Sequence, residues 1–325
     1  MQYIRLGTSS LKVSRIAFGC MGIGRPEWRS WVLDEARGKP LINQALDAGI
    51  NFFDTCDFYS SGASEEILGR AIRELGVRNE VVIATKVGNP MGRGPNASGY
   101  SRKHIIEAAE ASLRRLGTDR IDLYQTHIWD PQTNIDEMVA AFDLLIRQGK
   151  ILYVGATDIP CWQLAKAVYG ARLAGCAAFA SIQHHYNAVW REDERELIPF
   201  ARSEGLGLLP YSPMARGFLA GRQRRIERTT ERARTDDYAW QWYGRPEDSA
   251  VAEVIEDIAT ERGVEPAQIA LAWVLEQHPT AAPIIGPTAA NHLSSAIAAL
   301  DITLDSSAMK RIDDAYLPRK RGGHF

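Results

Sequence analysis

Apolar and polar positions alternate along the chain in two rhythms. Short apolar runs of five to seven residues are followed by longer stretches whose apolar positions recur every three or four residues. The short runs read as strands: RIAFG (15–19), INFFD (50–54), VVIATK (81–86), IDLYQTH (121–127), ILYVGA (151–156), FASIQ (179–183), GLGLLPY (205–211) and APIIG (282–286). The longer stretches read as helices. SRKHIIEAAEASLRRLG predicts one that starts at the N-cap Ser101, stops at Gly117 and turns Ile105, Ala109, Leu113 and Leu116 to one face. NIDEMVAAFDLLIRQGK predicts another, with Met138, Phe142 and Leu145 inward and its end at Gly149. Residues 3–14 read as a small hairpin turning around residues 7–10.

Strands that alternate with helices through short links imply a parallel sheet. Eight such strands most simply close into an α/β fold of the (β/α)₈ TIM-barrel kind, here one domain over residues 1–325. The rival is an open doubly wound sheet. That fold announces itself by a GxGxxG after an early strand, and none occurs there. One segment, 221–248, breaks the alternation. It is long, Arg-rich and carries aromatic residues. It reads either as a solvated insertion or as a loop that covers a site.

Composition narrows the classes. The 325 residues are 45% hydrophobic and 24% charged, ordinary for a globular chain. A formal net charge of -2 gives no steering towards nucleic acid or anionic lipid. No apolar run is long enough to cross a membrane. Cys20, Cys56, Cys161 and Cys176 lack metal-ligand spacing, and the adjacent His184 and His185 face opposite sides of a strand, so no metal site is expected. Free thiols and an N-terminus without the apolar run of a signal peptide lead us to expect a cytoplasmic protein.

The chemistry collects at the C-terminal ends of the strands, where a barrel would bring it to one mouth. Strand two ends in Asp54 with Tyr59 just beyond, strand three in Lys86, and strand four in His127 with Trp129 and Asp130 following. Strand five ends in Thr157 and Asp158, strand six in Gln183, and strand seven in Tyr211 and Ser212. A phenol is a poor acid at neutral pH, and burial makes it poorer. A neighbouring ammonium pulls the other way, and lowering a phenol by about three units takes roughly 4 kcal/mol. Asp54 would keep Lys86 charged, Lys86 would tune Tyr59, and Tyr59 would give a proton to a developing alkoxide. His127 would orient a carbonyl or share the proton. This is general acid catalysis at a carbonyl carbon, and it lacks only a hydride donor.

Those residues sit in recognisable company. GINFFDTCDFYSSGASEEILGRAI, VVIATKVG, IDLYQTHIWD, SIQHHYN and PYSPMARGFLAG resemble, in order, the conserved segments of the aldo-keto reductase family. The resemblance runs over essentially the whole chain. It implies a barrel whose bottom is plugged by the hairpin at residues 3–14. It implies NADP(H), bound without a GxGxxG loop, and hydride transfer to a small-molecule aldehyde or ketone. The matching positions are Asp54, Tyr59, Lys86 and His127 for the catalytic tetrad and Gln183 for the glutamine that holds the carboxamide. Tyr211 matches the aromatic that stacks on the nicotinamide. Ser212, Met214, Arg216 and Gly217 match the pyrophosphate-side loop, and Gly286, Thr288 and His292 lie where the 2′-phosphate is usually gripped. Trp28 and Trp129 are candidates for the substrate pocket.

Two departures from the family pattern stand out. After strand five the family commonly has Ser-Asn or Ser-Ser, and this chain has Thr157-Asp158. An aspartate accepts hydrogen bonds but, when ionised, donates none. The family's basic residue near 286–289 is also missing. A phosphate favours a guanidinium or ammonium partner, so either an arginine from 222–234 reaches across or NAD(H) becomes a second choice of cofactor. The resemblance also leaves open a cofactor-binding regulatory subunit that turns over little.

Overall fold

The computed structural model describes residues 1–222 and 226–319, without the side chains of residues 237 and 240. Eight parallel strands form a closed barrel: β3 (Ala17–Gly19), β4 (Phe52–Asp54), β5 (Val82–Val87), β6 (Ile121–Thr126), β7 (Ile151–Thr157), β8 (Phe179–His185), β9 (Gly207–Tyr211) and β10 (Ile284–Ile285). The last strand closes on the first, with Ile284 opposite both Ala17 and Tyr211. The helices predicted from periodicity form as expected. Ser101 caps Arg102–Leu116 by accepting from His104 N at 3.2 Å, and Gly117 ends it at φ 63°. Asn134 caps Ile135–Arg147 through the amides of Asp136 and Glu137.

Strand alternation sorts side chains into two layers. Phe53, Ile83, Tyr124 and Ile182 face outward and pack with helix residues such as Ile67 and Ile105. Phe52, Val82, Ala84, Leu123 and Leu209 face inward and fill the lower barrel. The same inward register places Asp54, Lys86, Gln125, Gln183 and Tyr211 above that apolar floor. Period two thus converts one apolar layer into a polar one at the mouth.

The N-terminal hairpin, β1 (Tyr3–Arg5) and β2 (Lys12–Ser14), seals the opposite end. Leu6 and Val13 are fully buried in the inner-barrel cluster. Thr8 N donates to Gly205 O at 2.8 Å, just before β9 begins. Gly7 has φ +59°, and a Cβ there would lie 2.3 Å from Gly205 O, so glycine lets the turn press against the barrel.

Each strand departs from the sequence reading by one or two residues at one or both ends, and two of these shifts have a visible cause. The first barrel strand begins at Ala17 because Arg15 turns its buried guanidinium to the carbonyls of Leu275, His278 and Ala281 instead of joining the ladder. The sixth runs on to His185, whose imidazole is held between rings.

The 221–248 segment is not a plain loop. Its described part forms the short helices Glu231–Thr235 and Asp237–Trp242. They dock on the loop after β3: Ser30 Oγ donates to Glu231 Oε1 at 2.9 Å, and the Arg232 guanidinium lies 4.3 Å from the Trp31 ring centroid. Tyr243 then anchors the segment to the barrel by its hydroxyl, which accepts from Asn187 Nδ2 at 3.1 Å.

Candidate active site

Asp54, at the end of β4, answers the need for a partner that a buried carboxylate has. Lys86 Nζ lies 2.7 Å from Asp54 Oδ2 and also donates to Thr55 O at 2.8 Å. Gln183 and Gln125 donate their amide N–H groups to Asp54 Oδ1 at 2.8 and 3.3 Å. The ammonium has no exposure to solvent, and its third neighbour is the Tyr59 hydroxyl at 3.4 Å. Tyr59 reaches this position from a sharp turn. Ser60, Ser61 and Gly62 all have left-handed backbone, with φ of 50°, 53° and 92°, before the helix Ala63–Leu75 starts. Ser60 Oγ accepts from Arg25 N at 3.0 Å, which ties that turn to the loop after β3.

The electrostatics depart from the sequence expectation in one respect. Burial raises the Tyr59 phenol, Lys86 pulls it down, and the net displacement is upward. The phenol is therefore held protonated in this state and is not poised to ionise. Lys86 feels burial downward, but Asp54 and Tyr59 outweigh it and hold the ammonium above its ordinary range. Burial, helped by Lys86, lowers His127 to about 3, so its imidazole is neutral.

His127 stands just past β6. Its backbone N donates to Tyr100 Oη at 2.9 Å, and Tyr100 in turn donates to Ile128 O at 2.7 Å. The ring is approached at Nδ1 by Asn89 Nδ2 at 2.5 Å and by Cys56 Sγ at 3.1 Å. Cys56 also lies 3.2 Å from Asp57 Oδ1, and burial raises its thiol well above the ordinary value.

Asp54, Tyr59 and His127 open into a cavity of about 1350 Å³ that continues past Thr157, Asp158, Gln183 and Tyr211 to Gly286, Thr288 and His292. Ser212, Met214, Arg216 and Gly217 form one wall, with φ of 56°, 55° and 98° at Ser212, Arg216 and Gly217. Trp28 lines the cavity beside Tyr59, with ring centroids 6.3 Å apart. Trp129 does not line it. Its ring stacks on Tyr100 with 6.0 Å between centroids, packed against the outer core. The sequence placed it correctly after His127, but the chain turns its ring back over Tyr100.

Tyr211 is fixed on two sides. Its ring is parallel to His185 within 4° at 5.2 Å, and its hydroxyl donates to both carboxylate oxygens of Asp158 at 3.1 Å. Asp158 itself projects into the cavity, at φ 46°. Enclosure by the cavity walls raises its carboxyl, and the Tyr211 bond opposes this. Thr157 Oγ1 is buried and has no hydrogen-bond partner among the described residues. His184 instead turns away to Asp193, at 3.2 Å.

Two arginines line the cavity here, Arg216 from the wall after β9 and Arg232 from the 221–248 segment. Arg216 Nε donates to Asp236 Oδ2 at 2.8 Å and Arg232 Nε to the same oxygen at 3.1 Å. A Cβ added to Gly286 would lie 3.9 Å from Arg232 Nη1. The sequence reading left two alternatives, an arginine from 222–234 reaching across or a loosened choice of cofactor; Arg232 lies beside Gly286, and Arg224 and Arg225 lie outside the described residues. Asn89, Gln125 and Tyr100 were not singled out from sequence, and Cys56 was named there only as a free thiol. Gln125 was findable, because it shares the inward register of Leu123 in IDLYQTH. Asn89 carries no periodic signal.

Comparison with known proteins agrees with this arrangement. The sequence profile of the Aldo/keto reductase family matches residues 15–317. Versiconal hemiacetal acetate reductase of Aspergillus parasiticus is 37% identical, covering 98% of each chain. The aldo-keto reductase AMT2 of Alternaria alternata is 34% identical over 99% of this chain and 93% of its own. An uncharacterized oxidoreductase of Bacillus subtilis, YrpG, is 36% identical over 97% and 96%. With a closed eight-stranded barrel, a buried Asp-Lys-Tyr cluster at its mouth and full-length similarity to reductases, this chain belongs to the aldo/keto reductase family and is an oxidoreductase.

Proposed function

We propose that the chain is an NADP(H)-dependent carbonyl reductase that converts an aldehyde or ketone to an alcohol, with Tyr59 as general acid. The observation that carries this reading is the Tyr59 hydroxyl 3.4 Å from a wholly buried Lys86 ammonium, itself paired with Asp54 at 2.7 Å. Tyr59 holds its proton at Oη until oxyanion charge develops beside it. Lys86 then stabilises the phenolate left behind, and Asp54 keeps Lys86 charged after water has been excluded. His127, neutral, faces the same space and orients the carbonyl oxygen.

The cavity fits a nicotinamide dinucleotide. Its volume exceeds the roughly 300–1,000 Å³ of a site for one drug-sized ligand, so cofactor and substrate can share it. The buried Thr157 Oγ1 and the Gln183 amide would hold the carboxamide, and the braced Tyr211 ring would take the nicotinamide face. Asp158, whose two oxygens both accept from Tyr211, would hold that ring in place of binding the carboxamide. Ser212, Met214, Arg216 and Gly217 would follow the pyrophosphate. Gly286, Thr288, His292 and Arg232 would surround the adenosine 2′-phosphate, with the 221–248 segment covering it. When bound, the nicotinamide supplies the hydride that reaches the carbonyl carbon. Arg232 favours NADP(H) over NAD(H), since a phosphate takes a guanidinium partner.

Trp28, beside Tyr59, gives the substrate end an aromatic wall, which suits a bulky or aromatic carbonyl compound. A hemiacetal, the substrate class named for the Aspergillus relative, is a masked aldehyde and belongs to the same chemistry. The test is NADPH consumption with 4-nitrobenzaldehyde and a panel of ketones. Turnover supports a reductase. Tight NADPH binding with no oxidation by any carbonyl compound would instead support a regulatory, cofactor-binding subunit.

A further inference from the structure

We infer that Asn89 sets the tautomer of His127, and so decides whether this ring offers a hydrogen or a lone pair to the substrate oxygen. The inference rests on the carbonyl-reductase reading above, but its main readout does not require turnover. A neutral imidazole has one N–H and one acceptor nitrogen, and the partner of one nitrogen fixes the state of the other. Asn89 Nδ2 lies 2.5 Å from His127 Nδ1, and an amide NH₂ only donates. Nδ1 is therefore the acceptor, and the ring's single proton sits on Nε2, on the side of the cavity that His127 lines.

Cys56 Sγ lies 3.1 Å from Nδ1 but donates its one S–H to Asp57 Oδ1 at 3.2 Å, so the sulfur faces the ring only as a weak acceptor and the Asn89 amide is the stronger partner. Among the described residues no carboxylate is hydrogen-bonded to Nδ1. Asp57, next along the chain, stops at Cys56 Sγ, 3.2 Å away, so nothing there favours an imidazolium. Lys86 adds positive charge near the ring and also opposes protonation. Tyr100 clamps the backbone on both sides of the imidazole, through His127 N and Ile128 O, and so limits rotation of the ring away from Asn89.

The consequence for chemistry is directional. An Nε2–H donor stabilises a carbonyl oxygen, and does so more strongly as negative charge builds on it. The opposite tautomer would aim a lone pair at that oxygen and repel it. Asn89 is thus a positioning residue. It need not touch substrate, and acts by fixing which nitrogen of His127 carries hydrogen.

The experiment is ¹⁵N NMR of His127 in the full chain, unliganded and with NADP⁺, for the wild type, Asn89→Asp and Cys56→Ala. The wild type should show a protonated Nε2 and an unprotonated Nδ1. Asn89→Asp replaces the donor by an acceptor of the same shape, so Nδ1 should gain hydrogen, as the other tautomer or as imidazolium. Cys56→Ala should leave the wild-type pattern intact. In parallel, Asn89→Asp should lower kcat at least about tenfold and add an ionisation to the pH–rate profile, with NADPH affinity unchanged. A wild-type ring protonated on Nδ1, or a ring whose state is the same in Asn89→Asp, overturns the inference. A switch produced by Cys56→Ala also overturns it, because the thiol would then hold the tautomer. If the wild type shows no carbonyl turnover at all, the reductase reading fails while the NMR result still judges the role of Asn89.

Discussion

Lys86 and Asp54 form an ion pair of 2.7 Å that is closed to solvent on the lysine side, at the top of a barrel whose lower interior is apolar. Breaking one half of such a pair strands a charge in a poor solvent for it. Asp54→Ala should therefore destabilise the protein by about 3–5 kcal/mol. The double variant Asp54→Ala with Lys86→Met should be less destabilised than the sum of the two single changes. Chemical denaturation of the four proteins measures this coupling. Simple additivity would mean that the pair carries no mutual stabilisation.

Arg232 makes a prediction about cofactor choice. Its guanidinium reaches the far end of the cavity beside Gly286, where the family's usual basic residue is absent. Arg232→Ala should remove a charge-assisted contact to the 2′-phosphate, of order 1.5–3 kcal/mol, so NADPH affinity falls about ten- to a hundredfold. NADH affinity should change little. Fluorescence titration with both dinucleotides reads the ratio, and equal losses for the two would place Arg232 on the shared part of the molecule.

Asp57 predicts a pH dependence of stability. It is fully buried, and burial, reinforced by Glu65 and opposed by Arg115, raises its carboxyl to about 7. In the unfolded chain the same group ionises near its ordinary value of 3.8. Below that value both states are protonated and no penalty exists. Between 3.8 and about 7 the unfolded state ionises first, so the contribution of this group to stability falls as pH rises. Above about 7 the full penalty is present. Asp57→Asn should accordingly gain thermal stability relative to the wild type at pH 8 and lose that advantage at pH 4. Melting curves at the two pH values check it; a constant difference would show that Asp57 titrates normally.

Much of this site was legible because strand periodicity and position carry it. Asp54, Lys86, Gln183 and Tyr211 are the inward residues at strand ends, and inward register is set by the same alternation that buries Phe52, Val82 and Leu209. The hairpin was legible from Gly7 and its neighbours. What was not legible depends on contacts distant in sequence. Arg15 leaves the first strand for carbonyls more than 250 residues away, with separations of 260 to 266. Trp129 lies on Tyr100 because the loop after β6 turns back, and local pattern says nothing of that. The helices Glu231–Thr235 and Asp237–Trp242 are too short to show a period; the first is held by Ser30 and Trp31 from elsewhere, and Asn187 holds Tyr243 just after the second. The acidity of Tyr59 was misjudged in direction because the weight of burial against one ammonium is a property of the packed site.

The most direct test of the central claim is the rate of NADPH oxidation by 4-nitrobenzaldehyde in Tyr59→Phe against the wild type, with NADPH affinity measured on the same samples. Loss of the phenolic proton donor should slow the reaction by about 10²–10⁴-fold while the dinucleotide binds as before. A Tyr59→Phe protein that reduces the aldehyde at the wild-type rate would contradict the account.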